Sequence, residues 1–388
     1  MEAVIIHYAE LALKGGNRDY FESTLFKAVK NALNKDDFSS VKKFYGRFMV
    51  NLKKDADIER VKAGLMTVFG IENFSFAYET KQDIEKIAKD VLPKLKTLKF
   101  ETFVVRVQRG NKSLPFTSLE AEREIGAHLL RDGIGAKVKM KGADLTVHVE
   151  LFDNKAYFHL EKIDGLKGMP SGTAGKVVSL LSSGFDSPVA SFNIMRRGAK
   201  CVFVHFHSYP HTSKASQDNV REIVKVLEKY QGKSKLYMVP FADIQKEIMV
   251  KAPAALRIIL YRRYMIRIAE MIAKREKADA LVTGESLAQV ASQTLKNMRA
   301  IGEVATLPVL RPLCGMDKKE IINISREIGL CEICSRPYDD CCSMFTPKNP
   351  ATAAKVWEVE EAEEKLKLSL TSLKFDGESV SLITNSLN

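Results

Sequence analysis

The chain has 388 residues, 45% of them hydrophobic and 28% charged, which calls for two or three globular domains with buried cores. Its 60 lysines and arginines against 48 acidic residues leave a net charge of +12, a balance that favours a polyanionic partner, nucleic acid first, although charge-rich surfaces also serve heat stability. No apolar run approaches the ~18 residues of a membrane span, and the opening MEAVIIHYAELALKGG has no basic leader, so neither membrane anchor nor signal peptide is expected and the location is read as cytoplasmic.

In chain order, residues 3–8 form an apolar strand. Residues 18–33 then place Phe21, Leu25, Ala28 and Ala32 on one face of a helix. Strands follow at 44–52 and 74–78, a helix at 83–95, a strand at 100–108 and a helix at 118–131. Two further strands, 144–151 and 155–160, flank Asp153-Asn154, a hairpin turn signal. This is the pattern of small α+β modules. The stretch 165–175 holds four glycines and a proline and reads as a linker.

Beyond it the rhythm changes. Apolar strands at 177–181, 201–206, 235–239, 280–283 and 308–310 alternate with helices at 188–197, 216–230, 256–277, 287–299 and 318–328. Repeated βα units with nearly continuous apolar strands predict a parallel sheet covered on both faces. Ligands of such folds sit beyond the carboxyl ends of the strands.

The first of these strands runs into Ser182-Ser183-Gly184-Phe185-Asp186-Ser187, and Pro188 opens a helix. A strand–loop–helix of this kind aims backbone N–H groups and the positive helix end at an anion. Ser182, Ser183 and Ser187 add hydroxyl donors, Gly184 permits close approach, and Asp186 is suited to a Mg2+ ion on a polyphosphate. The upstream GTAGK is not a Walker A loop, because Pro170 stands at its first glycine and Val177 replaces the hydroxyl residue after the lysine. An ordinary polar turn is the competing reading of the loop.

Six cysteines in a chain this long do not make a disulfide scaffold. Cys201 and Cys314 stand alone, whereas Cys331, Cys334, Cys341 and Cys342 cluster. Such a cluster means thiol chemistry or metal binding. A zinc site is the alternative, with the adjacent Cys341-Cys342 an awkward second pair for a tetrahedral ion.

The loop resembles the SGGxDS signature of the PP-loop ATP pyrophosphatases, with Ser183 standing at a glycine position. More narrowly, LLSSGFDSPVASFNIMRRG, VTGESLAQVASQTLKNM, RPYDDCCSMFTPKNP, YAELALKGGNR and FVVRVQRGNKSLPFTS together resemble the tRNA 4-thiouridine synthetases, and these matches span nearly the whole chain. The resemblance implies an amino-terminal ferredoxin-like domain over 1–58, a THUMP RNA-binding domain over 59–165, a linker over 166–175 and a Rossmann-like α/β PP-loop domain over 176–388. No rhodanese domain is read in the sequence. It also implies that Leu180, Leu181, His205, Phe206, Arg262, Gly284 and Gln293 line an ATP pocket, and that Lys318 lies near the active site with Lys319 as competitor. Taken alone, His205 reads as a structural histidine and Arg262, Arg263 and Arg267 as a solvated helix edge.

The implied chemistry is thiolation of tRNA uridine 8. Adenylation by ATP, with release of pyrophosphate, turns a uracil oxygen into a leaving group, and a persulfide delivers sulfur. The resemblance places that persulfide on Cys342, with Cys341 as alternative; Cys334 or Cys331 is left to act as resolving thiol, or a partner protein supplies it. A cysteine desulfurase would supply the sulfur, and the family's dimers imply a homodimer. Arg106, Arg109 and Lys112 would contact RNA, with Lys14, Arg18, Lys137, Lys139 and Lys141 widening the basic surface. The family is also associated with thiamine synthesis. Three rivals are weighed: a different PP-loop tRNA thiolase, a THUMP-containing methyltransferase, which needs a GxGxxG-like cofactor loop that the sequence lacks, and a non-catalytic RNA-binding protein that senses nucleotide.

Overall fold

The computed structural model describes every residue except 9, 14, 111–113, 339–346, 348, 367, 369, 371, 372, 377, 378 and 383–388. The chain forms two compact units, Met1–Pro170 and Ser171–Asn388. Among the described residues, no helix is long and apolar enough to cross a membrane.

The first unit is built on one nine-stranded mixed sheet. Ala3–His7 lies between Arg47–Leu52 and Asn73–Lys81, antiparallel to both. Its period-2 alternation sends Val4 and Ile6 into a core with Leu25, Val29, Val61 and Phe74, while Ala3 and Ile5 pack against Met49 and Tyr157 on the other face. The helix Ile58–Leu65 completes the first core and was not legible as a helix. It has eight residues, is started by Asp57 accepting from the Arg60 amide, and sits so close to Ala32 that a Cβ on Gly64 would lie 2.4 Å from its carbonyl oxygen.

Asn73–Lys81 is shared between two modules: its early residues pair with Ala3–His7 and its late ones with Lys155–His159. Beyond it come Leu145–Phe152 and Thr102–Arg109, the latter two parallel, with Ile84–Leu95 and Ser118–Arg131 packed on their core. Asp153 and Asn154 take positive φ values of 53° and 56° to turn the hairpin. At the seam the buried Glu150 accepts from Arg47, lies 2.9 Å from His7 Nε2 and 3.5 Å from His159 Nε2.

The second unit carries five parallel strands in the order Val309–Leu310, Ala280–Val282, Lys176–Leu180, Lys200–His207, Leu236–Pro240. An unforeseen antiparallel hairpin, Leu373–Asp376 with Ser379–Leu382, extends the last edge. Ser179 bonds Ser191 of the helix Asp186–Arg196, whereas its neighbour Val178 packs in the core with the helix Arg257–Glu276. Adjacent strand residues thus face helices on opposite sides. Lys176–Leu180 is followed in the chain by a strand on one side and flanked by Ala280–Val282 on the other. Its carboxyl end is therefore a topological switch point.

Several expectations need correction here. The helix expected over 287–299 is a loop with one 3-10 turn, Ala291–Gln293, and the helix runs Leu295–Gly302. Ala288 takes a positive φ of 62°, which breaks a helix, and Thr294 supplies the cap that starts the real one. A helix Ala242–Lys251 fills the stretch left unassigned. Nor are Arg263 and Arg267 a solvated edge: Arg263 is 2% exposed and donates to Glu363 and to the Ala300 carbonyl, and Arg267 pairs with the same Glu363.

Candidate active site

At the switch point the phosphate-type loop closes on itself. The Ser182 amide donates to Ser187 Oγ at 2.7 Å and the two hydroxyls lie 3.0 Å apart, so the six residues from Ser182 to Ser187 are tied into a ring that runs into the helix Asp186–Arg196. That helix begins two residues before Pro188, which occupies its first turn, where no N–H is missed. Two glycines allow this. A Cβ on Gly284 would lie 2.6 Å from the Ser187 amide nitrogen, and one on Gly184 would lie 2.9 Å from Tyr338 Oη. Neither position tolerates a side chain without displacement of backbone or of the tyrosine.

Beside the loop is a pocket of about 320 Å³. It brings together Leu180, Leu181, Ser182, Gly184, Asp186, Ser187, His205, Phe206, Arg262, Gly284 and Gln293, all singled out from the sequence. Ser183 is not in the wall: it is 1% exposed and its hydroxyl has no hydrogen-bond partner. The pocket has two chemical halves. Leu180, Phe206, Met265, Ile266 and Ile301 form an apolar slot, and Ser182, Asp186, Arg262, Glu285 and Gln289 a polar mouth. In the wall Gln293 Oε1 is buried with no partner of its own, an acceptor that seeks a donor on a bound molecule.

The charged groups are held by long-range pairs. Lys318 Nζ donates to Asp186 Oδ1 at 2.6 Å and Gln289 Nε2 to Oδ2 at 3.0 Å. Lys318 is set by a capping box in which Asp317 and Glu320 exchange side-chain and backbone bonds. Lys319, its competitor, contributes its backbone amide to that cap. Glu285, 3% exposed, accepts from Arg262 Nη1 at 2.9 Å, Arg311 Nε at 2.7 Å and Thr283 Oγ1 at 3.0 Å. His205 is buried, with Nδ1 at 2.9 Å from the Leu181 carbonyl. A carbonyl only accepts, so the proton sits on Nδ1.

Glu285, Arg311, Gln289 and Tyr338 were missed. Glu285 and Gln289 stand in the quoted VTGESLAQ segment, where a buried carboxylate beside Gly284 was the available signal. Tyr338 stands in the quoted RPYDDCCSMFTPKNP segment, whereas nothing local marks Arg311. Arg336, paired with Glu222 at 2.9 Å, anchors the segment that brings Tyr338 to the loop.

Cys341 and Cys342 lie outside the described residues. Cys334 ends the short helix Cys331–Cys334, is 4% exposed, and burial pushes its thiol up to about 11. Cys331 is a free, half-buried thiol. Among the described residues no group of three His, Cys, Asp or Glu is placed to hold a metal ion.

In the first unit Arg106 donates to Glu122 at 3.2 Å and to the Met140 carbonyl at 2.7 Å, and Arg109 to the carbonyls of Phe116 and Leu114. Both therefore brace the fold around Thr102–Arg109. Lys112 and Lys14 lie outside the described residues, and Arg18 pairs with Glu22. Lys137, Lys139 and Lys141 are exposed on the edge next to Thr102–Arg109.

This arrangement matches known proteins along most of the chain. Residues 172–368 match the family described as Thiamine biosynthesis protein (ThiI), residues 3–75 the ThiI ferredoxin-like domain and residues 78–161 the THUMP domain. A probable tRNA sulfurtransferase of Caldanaerobacter subterraneus subsp. tengcongensis is 44% identical over 94% of this chain and 95% of its own length. One from Thermus thermophilus is 41% identical over 92% and 88%. The crystal structure of a 4-thiouridine synthetase–RNA complex with bound ATP superimposes with a TM-score of 0.84 at 35% identity, covering 94% of this chain and 95% of that one. With ferredoxin-like, THUMP and ThiI domains in that order, the chain belongs to the ThiI family of tRNA sulfurtransferases.

Proposed function

We propose that this chain is a cytoplasmic, ATP-dependent 4-thiouridine synthetase acting on uridine 8 of tRNA. The observation that carries the reading is the pocket itself: an apolar slot joined to a closed serine loop at a helix N-terminus, with a Lys318–Asp186 pair at its mouth. A similar protein binds both ATP and RNA. The slot suits a purine ring, and Gln293 Oε1 offers an acceptor for an exocyclic amine. Backbone N–H groups at the start of Asp186–Arg196 suit phosphate oxygens. Asp186 is the acid of the loop and would hold Mg2+ with the phosphates, the usual mode for an ion that keeps most of its water; the ion would neutralise pyrophosphate.

In this reading the uracil O4 attacks the α-phosphorus and pyrophosphate leaves. Lys318 spreads positive charge where negative charge develops. The terminal sulfur of a persulfide on Cys342, or alternatively Cys341, then bonds to C4 and AMP departs with the oxygen. A thiol, Cys334 or alternatively Cys331, attacks the cysteine sulfur, breaks the S–S bond and leaves 4-thiouridine and a protein disulfide, which a dithiol reductant resets. A cysteine desulfurase recharges the acceptor cysteine. For Cys334 this requires that the segment open, because a buried thiol raised to about 11 is protonated at neutral pH. Arg106, Arg109 and Lys112, with the exposed Lys137, Lys139 and Lys141 widening the basic surface, contribute to RNA binding, and the enzyme works as a homodimer.

The test combines the chain with unmodified tRNA, Mg-ATP, cysteine and a cysteine desulfurase. The expected result is 4-thiouridine in the tRNA with one AMP per sulfur transferred. Binding of ATP and tRNA with no AMP formed would leave a nucleotide-sensing RNA-binding protein instead.

A further inference from the structure

The charged side chains lining the pocket have the wrong sign for a polyphosphate. Asp186 and Glu285 are negative and only Arg262 is positive among them, so the wall by itself carries a net negative charge. Two cations that do not line the pocket reverse this. Lys318 sits on Asp186, and Arg311 sits on Glu285 through Nε at 2.7 Å. With both included the site is net positive.

Resting on the ATP reading above, we infer that Arg311 is a positioning residue for polyphosphate binding: it completes an Arg262–Glu285–Arg311 triad that holds Arg262 rigidly without cancelling its charge. Glu285 alone would fix the Arg262 guanidinium but neutralise it. A second guanidinium on the same carboxylate keeps the geometry and restores one positive charge. The construction is specific. Glu285 is 3% exposed, so its charge is poorly screened and needs compensation. Both of its oxygens are taken, Oε1 by Arg262 and Oε2 by Arg311 and Thr283. Arg311 packs so tightly on Gly302 that a Cβ there would lie 3.1 Å from its Nη2. Arg311 also closes the short edge strand Val309–Leu310, so the sheet aims it at Glu285.

The experiment titrates the full chain calorimetrically with ATP and, separately, with uncharged adenosine. Arg311→Met should weaken ATP by about five- to tenfold, the scale of one charge acting through a largely water-screened path, and leave adenosine within twofold. Arg311→Lys should recover most of the ATP affinity. Glu285→Gln, which removes negative charge, should move the ATP-to-adenosine affinity ratio the opposite way, upward. That variant decides the question even if Arg311→Met does not fold. Equal losses for ATP and adenosine in Arg311→Met, or a ratio that falls in Glu285→Gln, would show that the triad only holds the wall and overturn the inference. A wild-type chain that binds adenosine but not ATP overturns it too, while one that binds neither removes the nucleotide reading as well.

Discussion

Lys318 and Asp186 lie 132 residues apart in the chain, yet Nζ meets Oδ1 at 2.6 Å at the mouth of the pocket. The pair joins the first turn of one helix to the first turn of another, and both charges are partly open to solvent. Such a lysine is held where an anion would arrive but can exchange its partner for that anion. Lys318→Met is expected to lower AMP-forming turnover by about 10²–10³-fold, the usual cost of a charge aimed at a transition state. Lys318→Arg should keep part of it. Rapid-quench measurement of AMP from tRNA and ATP checks this, and full turnover in the methionine variant would remove Lys318 from the chemistry.

Gly284→Ala tests the loop without touching any functional side chain. The new Cβ would fall 2.6 Å from the Ser187 nitrogen and 2.8 Å from the Asp186 carbonyl carbon. Because both are backbone atoms, the loop must shift. We expect a destabilisation of about 1–3 kcal/mol and loss of detectable ATP binding while the first unit retains its fold. Calorimetry and circular dichroism together would show it; unaltered ATP affinity would contradict the close-approach role.

The first unit should lose stability as acid protonates its unfolded chain. Burial, then the charges of Lys162 and His159, depress His148 from the ordinary histidine value of 6.5 to about 4. Glu150 and Arg106 also face it, and its ring stacks on His159 at 4.9 Å. Between those two pH values the unfolded state binds a proton that the folded state refuses. The stability is therefore complete above pH 6.5 and falls as pH drops toward 4. His148→Gln should flatten the thermal midpoint of this unit across that window, and a slope identical to wild type would refute the assignment.

Glu363 is the linchpin for two arginines of the helix Arg257–Glu276, one of them Arg263 at 2% exposure. Burial alone would raise this carboxyl, but hydrogen bonds from Arg267 and Arg263 outweigh it and hold it below the usual range. Glu363→Ala leaves a buried guanidinium short of its counter-charge and is expected to cost about 3–5 kcal/mol. The double variant Glu363→Leu with Arg263→Met should recover part of that loss, since the fully buried Arg263 charge is no longer stranded and only the more exposed Arg267 loses its partner. Denaturant unfolding of the three proteins measures it. A double variant no better than the single one would mean that the pair is not the source of the cost.

Much of the site was legible because it is local. SSGFDS follows an apolar strand and opens a helix within a dozen residues, and strand and helix periodicity do not depend on the rest of the chain. His205-Phe206 and Gly284 likewise end strands, and the rule that ligands gather at strand ends located them together. The loop 284–294 was misread because Ser-Leu-Ala-Gln-Val-Ala has the composition of a helix; its real shape follows from Ala288 at positive φ and from the wall it forms. Arg263 and Arg267 were misread because a charge on a helix says nothing about what packs against it, and Glu363 lies a hundred residues further on.

The sequence by itself determined the chemistry available: a serine-rich anion loop, an acid inside it, a cysteine cluster and an apolar parallel sheet to carry them. Tertiary structure alone decided which charges share a carboxylate, that Ser183 turns into the core while Ser182 and Ser187 line the pocket, and that Arg106 and Arg109 donate to the carbonyls of Met140 and Phe116. The reason is physical. Backbone periodicity and turn chemistry act over a few residues and are written in local order, whereas burial and ion pairing depend on neighbours that only the folded sheet brings within 3 or 4 Å.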